Sequence, residues 1–142
     1  MVAVIDSNLL YAWRNENDEL HQQGDDIVDA ASNQRLPKLH IPHVFFQETT
    51  KHVHNELDYD EAITTMDTLL RDPQFSIIPL KDGDLRRGRA LFRQHDELEL
   101  PDAIAVAYMR RTQIEYIYSD DDDFDRFDDL SRLNTAFNPQ SP

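Results

Sequence analysis

Four acidic residues stand where a carboxylate can do more than carry surface charge. Asp6 directly follows the apolar run Val2-Ala3-Val4-Ile5, and Glu48 lies inside FFQETTK. Asp102 follows Pro101 at the head of AIAVAYMRR, and Asp121 sits just past Tyr116-Ile117-Tyr118 in an unbroken run of four aspartates. Several bare carboxylates cannot share a pocket, because like charges raise one another's pKa and destabilise the fold. A hard divalent cation resolves the conflict, and oxygen-only clusters suit Mg²⁺ or Mn²⁺, which keep several waters and engage phosphates. Such an ion orients and deprotonates a water for in-line attack on phosphorus. The chain has no Cys, and no Ser/His arrangement points to a covalent intermediate.

Each residue also has a plainer role. Asp6 suits a helix cap. Glu48 falls roughly 60° from Phe45 on a helical wheel, at the edge of the apolar face, where an acid can simply reach solvent. Asp102 after Pro101 fits the preference for acids in a first turn. The run 120–123 is a common kind of acidic surface turn, and Phe124 and Phe127 anchor it. His43, His52 and His54 flank Glu48, but His52 and His54 point about 200° apart on a helix and read as surface residues.

The elements that must position these groups alternate along the chain. Strands are expected at 2–5, 39–41, 75–78 and 116–118, with a weak fifth near 135–137. Helices are expected from Leu9, over 19–34, 43–57, 60–71 and 82–95, and from Leu100 through AIAVAYMRR. Short apolar strands separated by helices indicate one α/β domain built on a parallel sheet covered on both faces. The ligand crevice of such a sheet lies beyond the carboxyl ends of its strands, where Asp6 and Asp121 stand.

Composition sets the limits. The 142 residues carry 14 Lys plus Arg against 28 Asp plus Glu, a formal charge of −14. That excludes a simple electrostatic nucleic-acid clamp, whose affinity comes from cations displacing counterions. It also disfavours binding to a membrane surface. The split is skewed, with 3 Lys to 11 Arg and 20 Asp to 8 Glu. Low Lys with abundant Asp matches the salt-loaded cytoplasm of a halophilic archaeon, where salt screens the mutual repulsion of carboxylates. No apolar stretch approaches a membrane span, and the strand at residue 2 leaves no room for a signal peptide, so the expected location is cytoplasmic.

Taken in order, VIDSN at 4–8, FFQETTK around Glu48, PDAIAVA at 101–107 and SDDDDF at 119–124 resemble the PIN-domain family. The likeness is greatest to the VapC-type ribonuclease toxins of toxin–antitoxin pairs, and it spans nearly the whole chain. It implies a three-layer α/β/α fold with a short central parallel sheet of about four to five strands, over residues 1–137, with 138–142 as a flexible tail. It implies hydrolysis of RNA phosphodiesters with Mg²⁺ or Mn²⁺, Asp6, Asp102 and Asp121 as metal-site carboxylates, and Glu48 completing an acidic quartet. Ser119 takes the position that supports the first Asp by hydrogen bonding, Asn8 a polar position lining the site, and Asp123 an accessory acidic one. Within the DDDD run, Asp120 and Asp122 remain alternatives. A cognate antitoxin and a homodimer are implied partners.

RNA must still be held. Arg86, Arg89 and Arg93, at i, i+3 and i+7 on one helix, form a candidate RNA-binding stripe, and Arg110 and Arg111 end the apolar helix. Surface salt bridging is the alternative role for both groups. A receiver domain fits worse, since Ser119 and acids follow YIY where a Lys should end a late strand. A D-x-D phosphatase fails at D-S-N. An RNA-processing or decay nuclease and a non-catalytic PIN-like interaction module remain as rivals.

Overall fold

The computed structural model describes residues 1–141. Its strands are β1 (Val2–Ile5), β2 (Lys38–Pro42), β3 (Phe75–Ile78), β4 (Tyr116–Tyr118) and β5 (Ser131–Leu133). The helices are α1 (Ser7–Arg14), α2 (His21–Ser32), α3 (His43–Glu56), α4 (Tyr59–Arg71), α5 (Asp82–Gln94) and α6 (Leu100–Thr112). One parallel sheet of order β3-β2-β1-β4-β5 is flanked by the helices. Ala3, Val4 and Ile5 are all fully buried, so β1 is apolar without alternation, as a central parallel strand covered on both faces requires.

The order places β1 in the middle. From it the chain builds outward through β2 to β3, then returns to add β4 and β5 on the other side. The carboxyl ends of β1 and β4 therefore flank the switch point, where the connections diverge and leave a crevice. Val4 pairs with Ile117 and Ile5 with Tyr118, so the next residues, Asp6 and Ser119, emerge side by side. The Asp6 amide continues the ladder to the Tyr118 carbonyl at 2.9 Å.

Close helix approach sharpens that frame. A Cβ on Gly88 of α5 would lie 2.5 Å from Ile104 Cγ1 and 2.8 Å from its Cα, so α5 and α6 touch backbone to side chain there. On the other pair, a Cβ on Gly24 of α2 would lie 2.5 Å from the Leu9 carbonyl oxygen of α1. The ends of α5 and α6 are tied as well. Arg111 donates both Nε and Nη2 to Asp84, at 2.7 and 3.0 Å, and the Asp84 side chain is wholly buried.

The fifth strand lies at 131–133, not 135–137. Phe124, Phe127 and Leu130 bury themselves and deliver Ser131 to β4, where its amide donates to the Glu115 carbonyl at 2.8 Å. Phe137 is held otherwise, its carbonyl accepting from the Tyr118 hydroxyl at 2.7 Å. In the tail, the Asn138 side chain donates to the Arg35 carbonyl at 2.9 Å, and Pro142 lies outside the described residues. Among the described residues, no helix is long and apolar enough to cross a membrane.

Candidate functional site

Asp6 occupies the N-cap position of α1, yet its side chain makes no cap hydrogen bond. It turns instead to Ser119, whose buried hydroxyl donates to Asp6 Oδ2 at 2.7 Å. The same Ser119 oxygen accepts from the Asp121 amide at 3.0 Å, so one hydroxyl links the ends of β1 and β4. Asp121 then caps the short turn 122–126, its Oδ1 accepting from the Asp123 amide at 2.9 Å. This turn sets which of the aspartates line the cavity. Asp121 and Asp123 face inward, Asp120 accepts from Gln23 elsewhere, and Asp122 is exposed.

Glu48 arrives from the second turn of α3, where Ser7 Oγ approaches its Oε1 at 3.1 Å and Asp6 Oδ1 at 3.4 Å. A single hydroxyl proton serves one of these acceptors at a time. Asp102 lies in the first turn of α6 behind Pro101. Asp6, Glu48, Asp102, Asp121, Asp123 and Asn8 thus line one cavity of about 180 Å³. Two further carboxylates line it, Glu97 and Glu99, both from the segment between α5 and α6. Neither stands out in a chain so rich in acids, although Glu99 is the N-cap residue of the helix that carries Asp102.

The cavity forces its acids toward protonation. Burial, then the Asp6 and Glu48 charges, push Asp102 up to about 8. Burial pushes Asp6 to about 6, against the lowering pull of Ser119 and of the Ser7 and Asn8 amides. Glu48 and Asp121 are raised too, again chiefly by burial. Arg126 engages the acidic wall, pairing with Glu97 and donating to Asp123 Oδ1 at 3.2 Å. Sequence reasoning missed it, because an Arg on a turn carries no signal of what it faces.

The donor set suits a hard divalent ion. Every candidate ligand is an oxygen, Asp6, Glu48, Asp102 and Asp121 have no cation within salt-bridge distance among the described residues, and Asn8 Oδ1 is buried with no hydrogen-bond partner. Among the described residues, the three acidic side chains whose oxygens all lie within 4.8 Å of one another are Asp121, Asp122 and Asp123. That knot is largely the geometry of the turn, since Asp122 does not line the cavity. Asp6, Asp102 and Asp121 are set wider apart around it.

The basic residues divide. Arg86 pairs with Asp82 at 3.1 Å, while Arg89 and Arg93 are exposed without a carboxylate partner among the described residues. None of the three lines the acidic cavity. Arg110 is bidentate to Asp129, and Arg111 to Asp84.

A parallel sheet with carboxylates gathered at its switch point defines a class of α/β proteins with an acidic cavity at the strand ends. The chain belongs to the PIN-domain family, whose model matches residues 3–130. Comparison with curated proteins by sequence found no match. Among solved structures, it is similar to VapC20 of Mycobacterium tuberculosis, described as a sarcin-ricin loop cleaving toxin, with TM-score 0.76 and 18% identity over 87% of this chain and 93% of that one. It is also similar to a chain of a toxin–antitoxin complex from Klebsiella pneumoniae, with TM-score 0.65 and 18% identity over 96% and 98% of the two chains. A chain of VapBC2 from Rickettsia felis, bound to a promoter DNA fragment, matches with TM-score 0.69 and 14% identity over 94% and 98%.

Proposed function

We propose that this protein is a metal-dependent endoribonuclease that hydrolyses RNA phosphodiester bonds, and the toxin of a type II toxin–antitoxin pair. The observation that carries the reading is the convergence of Asp6, Glu48, Asp102 and Asp121 from four distant segments into one cavity at the sheet's switch point. Asp6, Asp102 and Asp121 would hold Mg²⁺ or Mn²⁺. Such an ion, when bound, acts as a Lewis acid toward phosphate and water.

The chain's own groups do the rest. Ser119 fixes Asp6 through its Oδ2, while its other contact sets the Asp121 backbone. Ser7 orients Glu48, whose raised pKa suits a group that takes the proton of an attacking water. Asn8 offers its unpartnered oxygen, and Arg126 restrains Glu97 and Asp123 at the rim. Arg86, Arg89 and Arg93 are assigned to RNA contact outside the cavity, on a helix whose C-terminal end leads into the Glu97–Glu99 segment.

The toxin assignment rests on the solved neighbours, among them a sarcin-ricin loop cleaving toxin, a toxin–antitoxin complex and a VapBC2 complex with promoter DNA. With it come a cognate antitoxin, a homodimer and a cytoplasmic site of action. The test is RNA cleavage in high salt with and without Mn²⁺ or Mg²⁺, comparing wild type with Asp6→Asn and Asp102→Asn. Activity should require the ion and vanish in both variants. Cleavage that survives chelation and both substitutions rejects the mechanism.

A further inference from the structure

Beside the acidic cavity, and sharing Ser7, Asn8 and Glu48 with it, a second pocket of about 390 Å³ opens between α1 and α3, closed on its remaining side by Asp18 and Leu20. Its character is different. Glu48, Lys51, His52 and Asn55 follow one another at i, i+3, i+4 and i+7, so they share one face of α3 and form a track leading away from Glu48. Opposite, Tyr11 presents its ring to His52, and the two stack at 3.7 Å between centroids and 8° between planes. Tyr11 is buried and His52 exposed, so the Tyr11 ring backs the imidazole on one side and leaves its outer face to solvent. Lys51 is exposed, has no carboxylate within salt-bridge distance among the described residues, and lies near enough to Glu48 to lower its pKa.

We infer that this pocket is a subsite for one nucleotide of a single-stranded RNA, adjoining the phosphodiester that occupies the acidic cavity. The inference rests on the nuclease reading for its orientation, and three chemical features carry it. A backed aromatic face open to solvent is a stacking platform that accepts any base. An unpaired ammonium beside it supplies the one attraction for a flanking phosphate that the surrounding acids do not. The Asn55 amide offers donors and an acceptor to a base edge, and the volume falls within the range of small-ligand sites. A chain of charge −14 has few places where phosphate and base are both welcome, and this one abuts the carboxylates.

The test uses a fluorescein-labelled single-stranded octaribonucleotide, with affinity read by anisotropy in Ca²⁺ and cleavage read as separate kcat and KM in Mn²⁺. His52→Ala should weaken binding and raise KM about tenfold, and His52→Phe should restore both, since stacking needs a ring rather than an imidazole. Lys51→Ala should weaken binding and lower the salt dependence of affinity by about one ion. Unchanged affinity in both alanine variants overturns the subsite and leaves the pocket to a polypeptide partner. The nuclease reading fails separately. If the wild type binds RNA with His52 dependence but does not cleave, the subsite stands and the catalytic assignment falls; if it binds no RNA at all, both fall.

Discussion

The hydroxyl of Ser119 donates to Asp6 Oδ2 at 2.7 Å across 113 residues of chain, and both groups are buried. This contact holds the Asp6 carboxylate in the cavity rather than over the helix whose N-cap position it occupies. It also opposes the burial that raises the Asp6 pKa. Ser119→Ala should therefore raise that pKa further and cost about 1–3 kcal/mol, the penalty of an unmatched buried acceptor. Since a ligating carboxylate must be deprotonated, the acid limb of the pH–rate profile should move to higher pH, and the loss of activity should be largest near pH 6. Ser119→Thr, which keeps the hydroxyl, is the control. An unshifted profile in the alanine variant would show that Asp6 does not depend on Ser119.

The same cavity makes the metal-free protein pH-sensitive. Asp6 and Asp102 have folded pKa values of about 6 and about 8, both above the ordinary 3.8. The native state thus binds more protons than the unfolded chain between pH 4 and 8, and stability must fall as pH rises through that window. Asp6 alone contributes roughly 3 kcal/mol of that loss at about 1.4 kcal/mol per unit. In EDTA at fixed high salt, the melting temperature should be lower at pH 8 than at pH 5.5. Added Mn²⁺ should restore it, and restore more at pH 8, where fewer protons need be displaced. A melting temperature independent of both pH and Mn²⁺ would contradict the assignment of these carboxylates to an ion site.

The sequence made some parts of this site easy to read and hid others for definite reasons. Asp6 and Asp102 are legible because strand-end and helix-start positions are marked by an apolar run and by a Pro. Neither Glu97 nor Glu99 has such a marker; both lie in the connection between α5 and α6, and only the tertiary fold brings them to the cavity. Arg126 is hidden for the same reason. β5 escaped detection because Ser131, Arg132 and Leu133 are all half-buried on an edge strand, with none of the apolar run that marked β1. Arg110 and Arg111 left RNA contact and salt bridging open, and their bidentate contacts supply the second.

Gly88 and Gly83 lie five residues apart on α5 and should respond oppositely to alanine. A Cβ at 88 meets Ile104 Cα at 2.8 Å, which no rotamer change relieves. Gly88→Ala should cost about 1–3 kcal/mol by overpacking and lower activity by displacing the α6 turn that carries Asp102. At 83 the Cβ meets only the far end of Arg87, so Gly83→Ala should gain up to about 1 kcal/mol of helix propensity. Thermal melts of the two variants, with cleavage measured in parallel, check both signs.

The Asp84–Arg111 pair gives the sharpest test of what holds α6 in place. Burial would raise the Asp84 pKa, but the Arg111 hydrogen bonds and the Lys81 amide outweigh it and hold the carboxyl below its ordinary value. A depressed folded pKa stabilises the native state above the unfolded pKa near 4, and that stability is lost as pH falls through the folded value. Arg111→Ala removes the compensation and leaves a wholly buried charge, at a cost of about 3–5 kcal/mol at pH 7. The sign of the pH dependence then reverses. Without its partner the buried carboxyl titrates above the usual range, so the variant should recover stability as pH falls from 7 toward 5, where the wild-type pair is still intact. Asp84→Asn in the Arg111→Ala background should remove that recovery by removing the charge itself. Denaturant titrations of the three proteins at pH 5 and pH 7 decide the matter, and parallel shifts in all three would show that Arg111 acts through packing rather than through the Asp84 charge.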